Sequence, residues 1–306
     1  MVAHGRGSRR RRSREWLLQT ESIAFSWDVR EDMLMAECSF IDYRLQDHGV
    51  AVLTLDNPPL NLNTLVTLNK LLGACRDIAA DERVRAVVVT GSGSKAFCAG
   101  SDIREFAHVR EDVISRKLAR ENEAFGALEQ LPMPVIAALN GVTLGGGGEI
   151  ALACDIRIMD ETAHIGFPEV KLGIFPGSGG VFRLPRIVGP AKAYELLYTG
   201  EIIDAHEAHR IGLVNRLAPA GQALPAAVAL AETLASGPAL ALSLIRAGVR
   251  DSLNQTTQQA IDCTLVNSHR VFTGPDIEEG IKAFFDKRAP VFTSGRNDVR
   301  RHTEED

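Results

Sequence analysis

The chain has few cysteines, no long apolar stretch and no glycine signature for a nucleotide, and each lack excludes a chemistry. Its five cysteines (Cys38, Cys75, Cys98, Cys154 and Cys263) are an odd number without a C-x-x-C pair. That pattern argues against a disulfide framework and for buried thiols in a reducing compartment, with a nucleophilic Cys98 as the alternative. No apolar run approaches the ~20 residues that cross a bilayer, and no secretory leader is recognisable. The run Gly145 to Glu149 fails G-x-G-x-x-G because Ile150 stands at the third glycine; Gly177 to Gly180 fails because Phe182 does. No phosphate-binding G-x-x-x-x-G-K-[ST] occurs. His206 and His209 lie three apart on an expected helix, but no acidic or sulfur ligand is fixed beside them, so a metal centre is not expected.

What is present describes a globular chain of 306 residues, 45% hydrophobic, with a lopsided charge. The first fourteen residues hold six arginines and no acid; against a net charge of −5, the rest carries −11. The basic arm reads as an extension without a core pattern, with an organelle-targeting leader or translation upstream of Met33 or Met35 as alternatives. Nucleic-acid contact through the arm is opposed by the acidic remainder.

Periodicity organises the centre. Residues 50–55 (VAVLTL), 85–90 (RAVVVT), 134–139 (PVIAAL) and 155–159 (DIRIM) read as strands. Helical spacing covers 62–80 and 113–130. Such alternation predicts an α/β domain with parallel strands joined by helical crossovers. Beyond Pro190 the strand signal nearly vanishes, and helices are expected over 191–199, 205–211, 223–235, 239–250, 256–270 and 276–287. The organisation follows: a disordered Arg-rich extension over 1–46, a core over 47–190, a helical region over 191–290 and a polar tail over 291–306.

The run Leu144-Gly-Gly-Gly-Gly-Glu149 sits between an expected buried strand and a buried helix, where α/β proteins place ligands. Glycines let a substrate carbonyl approach the backbone, and the first N–H groups of a helix have no intrahelical acceptor. Together they are material for an oxyanion hole, which stabilises charge developing on a thioester or ester oxygen. Glu149 and Glu169 would then move protons at a neighbouring carbon or water.

These segments resemble the crotonase (enoyl-CoA hydratase/isomerase) superfamily over residues 47–288. The resemblance rests on Asn57-Pro58-Pro59 with Asn63, and on residues 94–106 (SKAFCAGSDIREF), 132–155 (PMPVIAALNGVTLGGGGEIALACD), 167–180 (FPEVKLGIFPGSGG), 199–214 and 283–290 (AFFDKRAP), in the family's order. It implies a crotonase-like spiral of ββα turns, a helical C-terminal trimerisation region, and homotrimers or homohexamers. It implies an acyl-CoA substrate and no separate cofactor, coenzyme A being part of the substrate. Neither a membrane nor a nucleic acid is implied as a partner, and the expected location is cytoplasmic, or mitochondrial if the arm is a targeting segment. The oxyanion hole is implied at the backbone N–H groups of Ala99 and Gly146. The catalytic pair matches Glu149 and Glu169. Substrate-binding positions fall on Lys95, Ala99, Gly100, Ser101, Asp102, Ile103, Gly145 and Lys287, with Lys95 and Lys287 as candidates for the phosphates.

Retention of both glutamates favours hydration or dehydration of an enoyl-CoA, with double-bond isomerisation or carnitinyl-CoA dehydratase-like chemistry as alternatives. Two departures stand out. Ser101 follows the C-A-G, placing a hydroxyl near the thioester, and Gly148 replaces a larger residue, which would loosen the acyl pocket. Physical reasoning assigns Glu149, at a helix N-terminus, as an ionised base. Glu169, among Ile165, Phe167, Val170 and Leu172, is assigned as the protonated acid. Asp102 is read as a helix N-cap.

Overall fold

Valine-rich runs form the middle of a sheet in the computed structural model, which describes residues 41–296. The Arg-rich arm and residues 297–306 lie outside the described residues. The strands are β1 (Ile41–Leu45), β2 (Val50–Leu55), β3 (Ala86–Gly91), β4 (Ala96–Cys98), β5 (Val135–Leu139), β6 (Val142–Leu144), β7 (Ile156–Asp160), β8 (His164–Gly166), β9 (Ile202–Asp204) and β10 (Arg216–Ala218). A six-stranded sheet has the order β1-β2-β3-β5-β7-β10, antiparallel at β1–β2 and parallel from β2 onward. A four-stranded sheet has the order β4-β6-β8-β9 and is antiparallel only at β8–β9. The chain alternates between the sheets, β3 to β4, β5 to β6 and β7 to β8, before helical or irregular segments lead onward. This is the spiral of ββα turns.

The first helices are α1 (Leu65–Ala80), α2 (Ile103–Val109), α3 (Ala119–Glu129), α4 (Gly146–Ala153) and α5 (Gly180–Val188). They are followed by α6 (Pro190–Thr199), α7 (Ala205–Arg210), α8 (Ala223–Ala235), α9 (Ala239–Ser252), α10 (Thr257–Phe272) and α11 (Asp276–Asp286). Helix α1 begins at a capping box: the Thr64 hydroxyl accepts from the Thr67 N–H at 3.1 Å, and the Thr67 hydroxyl accepts from the Thr64 N–H at 2.8 Å. Such a cap contributes about 1 kcal/mol.

Strands β3 and β5 are buried along their whole length, so they read as unbroken apolar runs rather than alternating ones. Val87 and Val89 pack with Leu68, Leu71 and Phe125 on one face. Val88 and Ile136 pack on the other against Ala223, Ala227, Ala231 and Ala235, whose four-residue spacing lays a narrow stripe of α8 on the sheet. Phe97, Phe125 and Phe167 are fully buried, each stabilising the fold by roughly 1.5–3 kcal/mol. Buried Asp160 fixes the start of α8 by accepting from the N–H groups of Gly221, Gln222 and Ala223.

The sequence expectations differ from this architecture at five places. The extension expected over 1–46 ends sooner, because Ile41–Leu45 pair with β2 in register Ile41 to Leu55. The tail expected from 291 is not uniformly solvated: Ser294 and Arg296 are buried, with the Ser294 carbonyl accepting from Arg85 and Arg296 donating to the carbonyls of Ala79 and Asp81. The single helix expected over 113–130 is a π-helical turn (Ile114–Leu118) followed by α3. Helix α5, which contains Pro185, was not expected. Neither were the three-residue strands β4, β6, β8, β9 and β10.

Candidate active site

The glycine run shapes the entry to α4. A Cβ at Gly147 would stand 2.0 Å from the Cys98 carbonyl oxygen, so only glycine lets the first turn lie on β4. Glu149 projects from that turn and is 3% exposed. Its Oε1 accepts from the backbone N–H of Ser178 at 2.8 Å and of Gly180 at 2.9 Å. These bonds support the ionised form, yet burial outweighs them and pushes the carboxyl up to about 8, helped by the negative charges of Glu169 and Glu121. The expectation of an ionised Glu149 from its helix position is thereby corrected: a helix terminus contributes at most ~2 kcal/mol, less than this desolvation.

Glu169 lies in the 3₁₀ turn Pro168–Leu172, directly after β8. A Cβ at Gly145 would stand 3.0 Å from its Oε1, so the carboxylate rests against the glycine run. Its Oε2 is buried without a hydrogen-bond partner, and burial pushes the group up to about 7. The glutamate with the higher value is therefore Glu149, the reverse of the order used to name base and acid.

Ser101 and Gly146 bring backbone N–H groups to the wall of the cavity that holds the two glutamates. The Ala99 N–H, expected in the hole, donates to the Leu60 carbonyl at 3.0 Å and is not available to a ligand. The N–H groups of Ser101 and Gly146 have no acceptor among the described residues. They are neighbours: a Cβ at Gly146 would stand 3.7 Å from the Ser101 nitrogen. The loop pairs with Asn63, which donates its N–H to Gly100 and accepts from Asp102.

One cavity of about 610 Å³ gathers Ala99, Gly100, Ser101, Ile103, Gly145 and Gly146 with Glu149 and Glu169. Asp102 caps α2 by accepting from the Arg104 N–H, and its ion pair with Arg104 holds the carboxyl below the usual range. Lys95 lies elsewhere, exposed and lining a separate polar groove with Thr90, Ser92 and Asn140. Lys287 is an exposed residue at the end of α11 and does not line the cavity of its own chain. Burial pushes the Cys98 thiol up to about 12, which removes it as a nucleophile at neutral pH. His206 and His209 are exposed, and the described residues contain no cluster of three metal-ligating side chains.

Gly148 does not loosen the pocket. A Cβ there would stand 2.7 Å from Cε1 of Phe167, whose ring occupies the space. Sequence reasoning also missed Glu121, a third carboxylate lining the cavity and only 2% exposed. The only signal for it is the spacing to Lys117, four residues earlier, which resembles an ordinary solvated pair. Lys117 is in fact fully buried, donating to Glu105 at 2.6 Å and to the Asn63 carbonyl at 2.8 Å.

Unpaired backbone donors facing raised carboxyls define an acid–base enzyme that stabilises negative charge on a carbonyl oxygen. The comparisons give this class a family. The profile of the family described as enoyl-CoA hydratase/isomerase matches residues 46–296. The crotonyl-CoA hydratase of Syntrophomonas wolfei is 38% identical over 253 residues, covering 81% of this chain and 96% of that protein. The short-chain-enoyl-CoA hydratase of Clostridium acetobutylicum is 39% identical over 248 residues, covering 78% and 92%. The crystal structure of enoyl-CoA hydratase from Bacillus anthracis superposes with a TM-score of 0.80 at 36% identity, covering 82% of this chain and 98% of that one. The chain belongs to the enoyl-CoA hydratase/isomerase family of the crotonase superfamily.

Proposed function

We propose that the protein is a hydro-lyase that adds water across the 2,3 double bond of an enoyl-CoA thioester, and catalyses the reverse dehydration. The observation that carries this reading is one cavity lined by the buried carboxyl of Glu149, the half-buried carboxyl of Glu169, and Ser101 and Gly146 with open N–H donors. Those donors bind the thioester oxygen and stabilise the enolate as charge moves onto it; one such donor contributes about 2.7–4 kcal/mol to catalysis. Oxygen from water joins C3 and a proton joins C2. One carboxyl of the pair must be ionised to take the proton of water and the other protonated to supply C2. Values of about 8 and about 7 let the pair hold one proton near neutral pH. The proton belongs to the coupled pair rather than to a fixed member. Glu149 exchanges it at Oε2, since Oε1 is occupied by two N–H donors.

Coenzyme A enters as part of the substrate, and no further cofactor takes part. Exposed Leu265, Val266, Phe272, Phe284 and Phe285 on α10 and α11 are an apolar surface suited to further copies of this chain, and they support a homotrimer or homohexamer. Lys287 beside this surface then becomes a candidate for the phosphates of a substrate bound to a neighbouring subunit. Free, buried Cys75, Cys98 and Cys154 suit a cytoplasmic protein.

The test is turnover of a short panel of trans-2-enoyl-CoA thioesters, followed by loss of the conjugated thioester absorbance. Hydration of at least one is expected. No hydration, alongside clear shifting of a double bond from C3 to C2, would make the protein an isomerase.

A further inference from the structure

We propose that Glu121 is a positioning residue for the reaction, tying the loop that carries the Ser101 donor to the loop that seats Glu149. The inference rests on the reading of Glu149 and Glu169 as the proton-moving pair. Glu121 Oε1 accepts from the Ser101 hydroxyl at 2.5 Å, and Oε2 accepts from the Ser178 hydroxyl at 2.6 Å. The same Ser178 donates its backbone N–H to Glu149. A single carboxylate on α3 thus spans two loops 77 positions apart, both lining the cavity that holds Glu149 and Glu169. The next residue grips the same loop: Asn122 Nδ2 donates to the Gly177 carbonyl at 3.1 Å.

A simpler role would be to neutralise buried Lys117. The distances argue against it as the main one. Lys117 Nζ lies 2.6 Å from Glu105 but 3.8 Å from Glu121, whose oxygens are already occupied by the serine hydroxyls. Bonds to a charged acceptor are among the stronger ones, about 1.5–3 kcal/mol each, so they hold both loops firmly.

The charge of Glu121 also acts on the pair. It faces Lys117 from its own helical segment, Glu149 from α4, Glu169 from the 3₁₀ turn, and the Cys98 thiol from β4; Glu105 and Arg183 lie one contact further out, on Lys117 and on the Ser178 carbonyl. Its negative charge raises Glu149 and Glu169 alike. Replacing it with a neutral group removes that contribution and lowers both.

The test is Glu121→Gln, with kcat and KM for crotonyl-CoA measured across a broad pH range. Expected are a kcat lower by about 10–100-fold, the equivalent of one charged hydrogen bond, a nearly unchanged KM, and both limbs of the pH profile displaced to lower pH. A folded Glu121→Gln protein with unchanged kcat and profile would overturn the inference. If that variant does not fold, Ser101→Ala/Ser178→Ala leaves Glu121 and Lys117 in place while cutting both ties. It should show the same loss in kcat, and an undiminished kcat overturns the proposal. A wild-type protein without hydration, or a fully active Glu149→Gln, overturns the proposed function and this inference with it.

Discussion

The backbone N–H of Ala99 donates to the carbonyl of Leu60 at 3.0 Å, which moves the available loop donor to Ser101. Replacing one amide by an ester, through incorporation of an α-hydroxy acid, tests this without altering a side chain's position. An ester at Ser101 removes a donor to the thioester oxygen and should lower kcat by about 10²–10³-fold. An ester at Ala99 removes one structural bond, worth about 1 kcal/mol of stability, and should lower Tm while leaving kcat within a few-fold. The reverse pattern would return the hole to Ala99.

Glu149→Gln and Glu169→Gln should each keep acyl-CoA binding and lower hydration by about 10²–10⁴-fold, the usual contribution of a positioned acid or base. Glutamine preserves the acceptor that Ser178 and Gly180 require, so Glu149→Gln should fold. The two groups act on one water and one carbon, so the double variant should be little worse than the poorer single one. Near-full hydration by Glu149→Gln beside an inactive Glu169→Gln would point to a one-carboxylate mechanism, as in isomerisation. Steady-state kinetics with crotonyl-CoA decides between them.

Much of this site was legible in the sequence because its parts are local. The run from Leu144 to Glu149 announces its own helix start, and PVIAAL announces the strand before it. What was not legible depends on distant partners. Whether the Ala99 or the Ser101 amide is free is decided by the carbonyl of Leu60, 39 positions away. Glu121 reads as a solvated charge until the loops at 101 and 178 close over α3. Strands such as β4, β6 and β8 have three residues each, too few to show a period of two; only the family resemblance implied them.

The raised carboxyls make stability depend on pH. Glu149 titrates at about 8 in the folded protein against an ordinary 4.5. Below 4.5 both states hold the proton, and the group contributes no difference. Between 4.5 and about 8 the unfolded chain has released it while the folded protein keeps it. The folded state then binds more protons, so stability falls as pH rises through that window. Glutamine cannot ionise. The Tm of Glu149→Gln relative to wild type should therefore climb from pH 5 to pH 8 and level off above it, and Glu169→Gln should do the same with a plateau nearer its value of about 7. A difference in Tm that is flat with pH would show that the groups titrate normally.

Phe167 and Gly148 offer a test in which two effects oppose each other. In an open helix, Gly→Ala stabilises by up to ~1 kcal/mol through propensity. Here the new methyl would stand 2.7 Å from Cε1 and 3.1 Å from Cζ of a fully buried ring. Overpacking of that kind costs about 1–3 kcal/mol, so the steric term should win and Gly148→Ala should lower Tm. Phe167 precedes Glu169 by two residues, so displacing the ring should also disturb the Pro168–Leu172 turn and reduce kcat. In a Phe167→Leu background the clash is relieved, and the same Gly148→Ala change should become neutral or stabilising relative to Phe167→Leu alone. Chemical denaturation of the four proteins measures this coupling directly. If Gly148→Ala stabilises in the presence of Phe167, the ring does not fill the space, and the pocket is open beside Glu149 as the sequence first suggested.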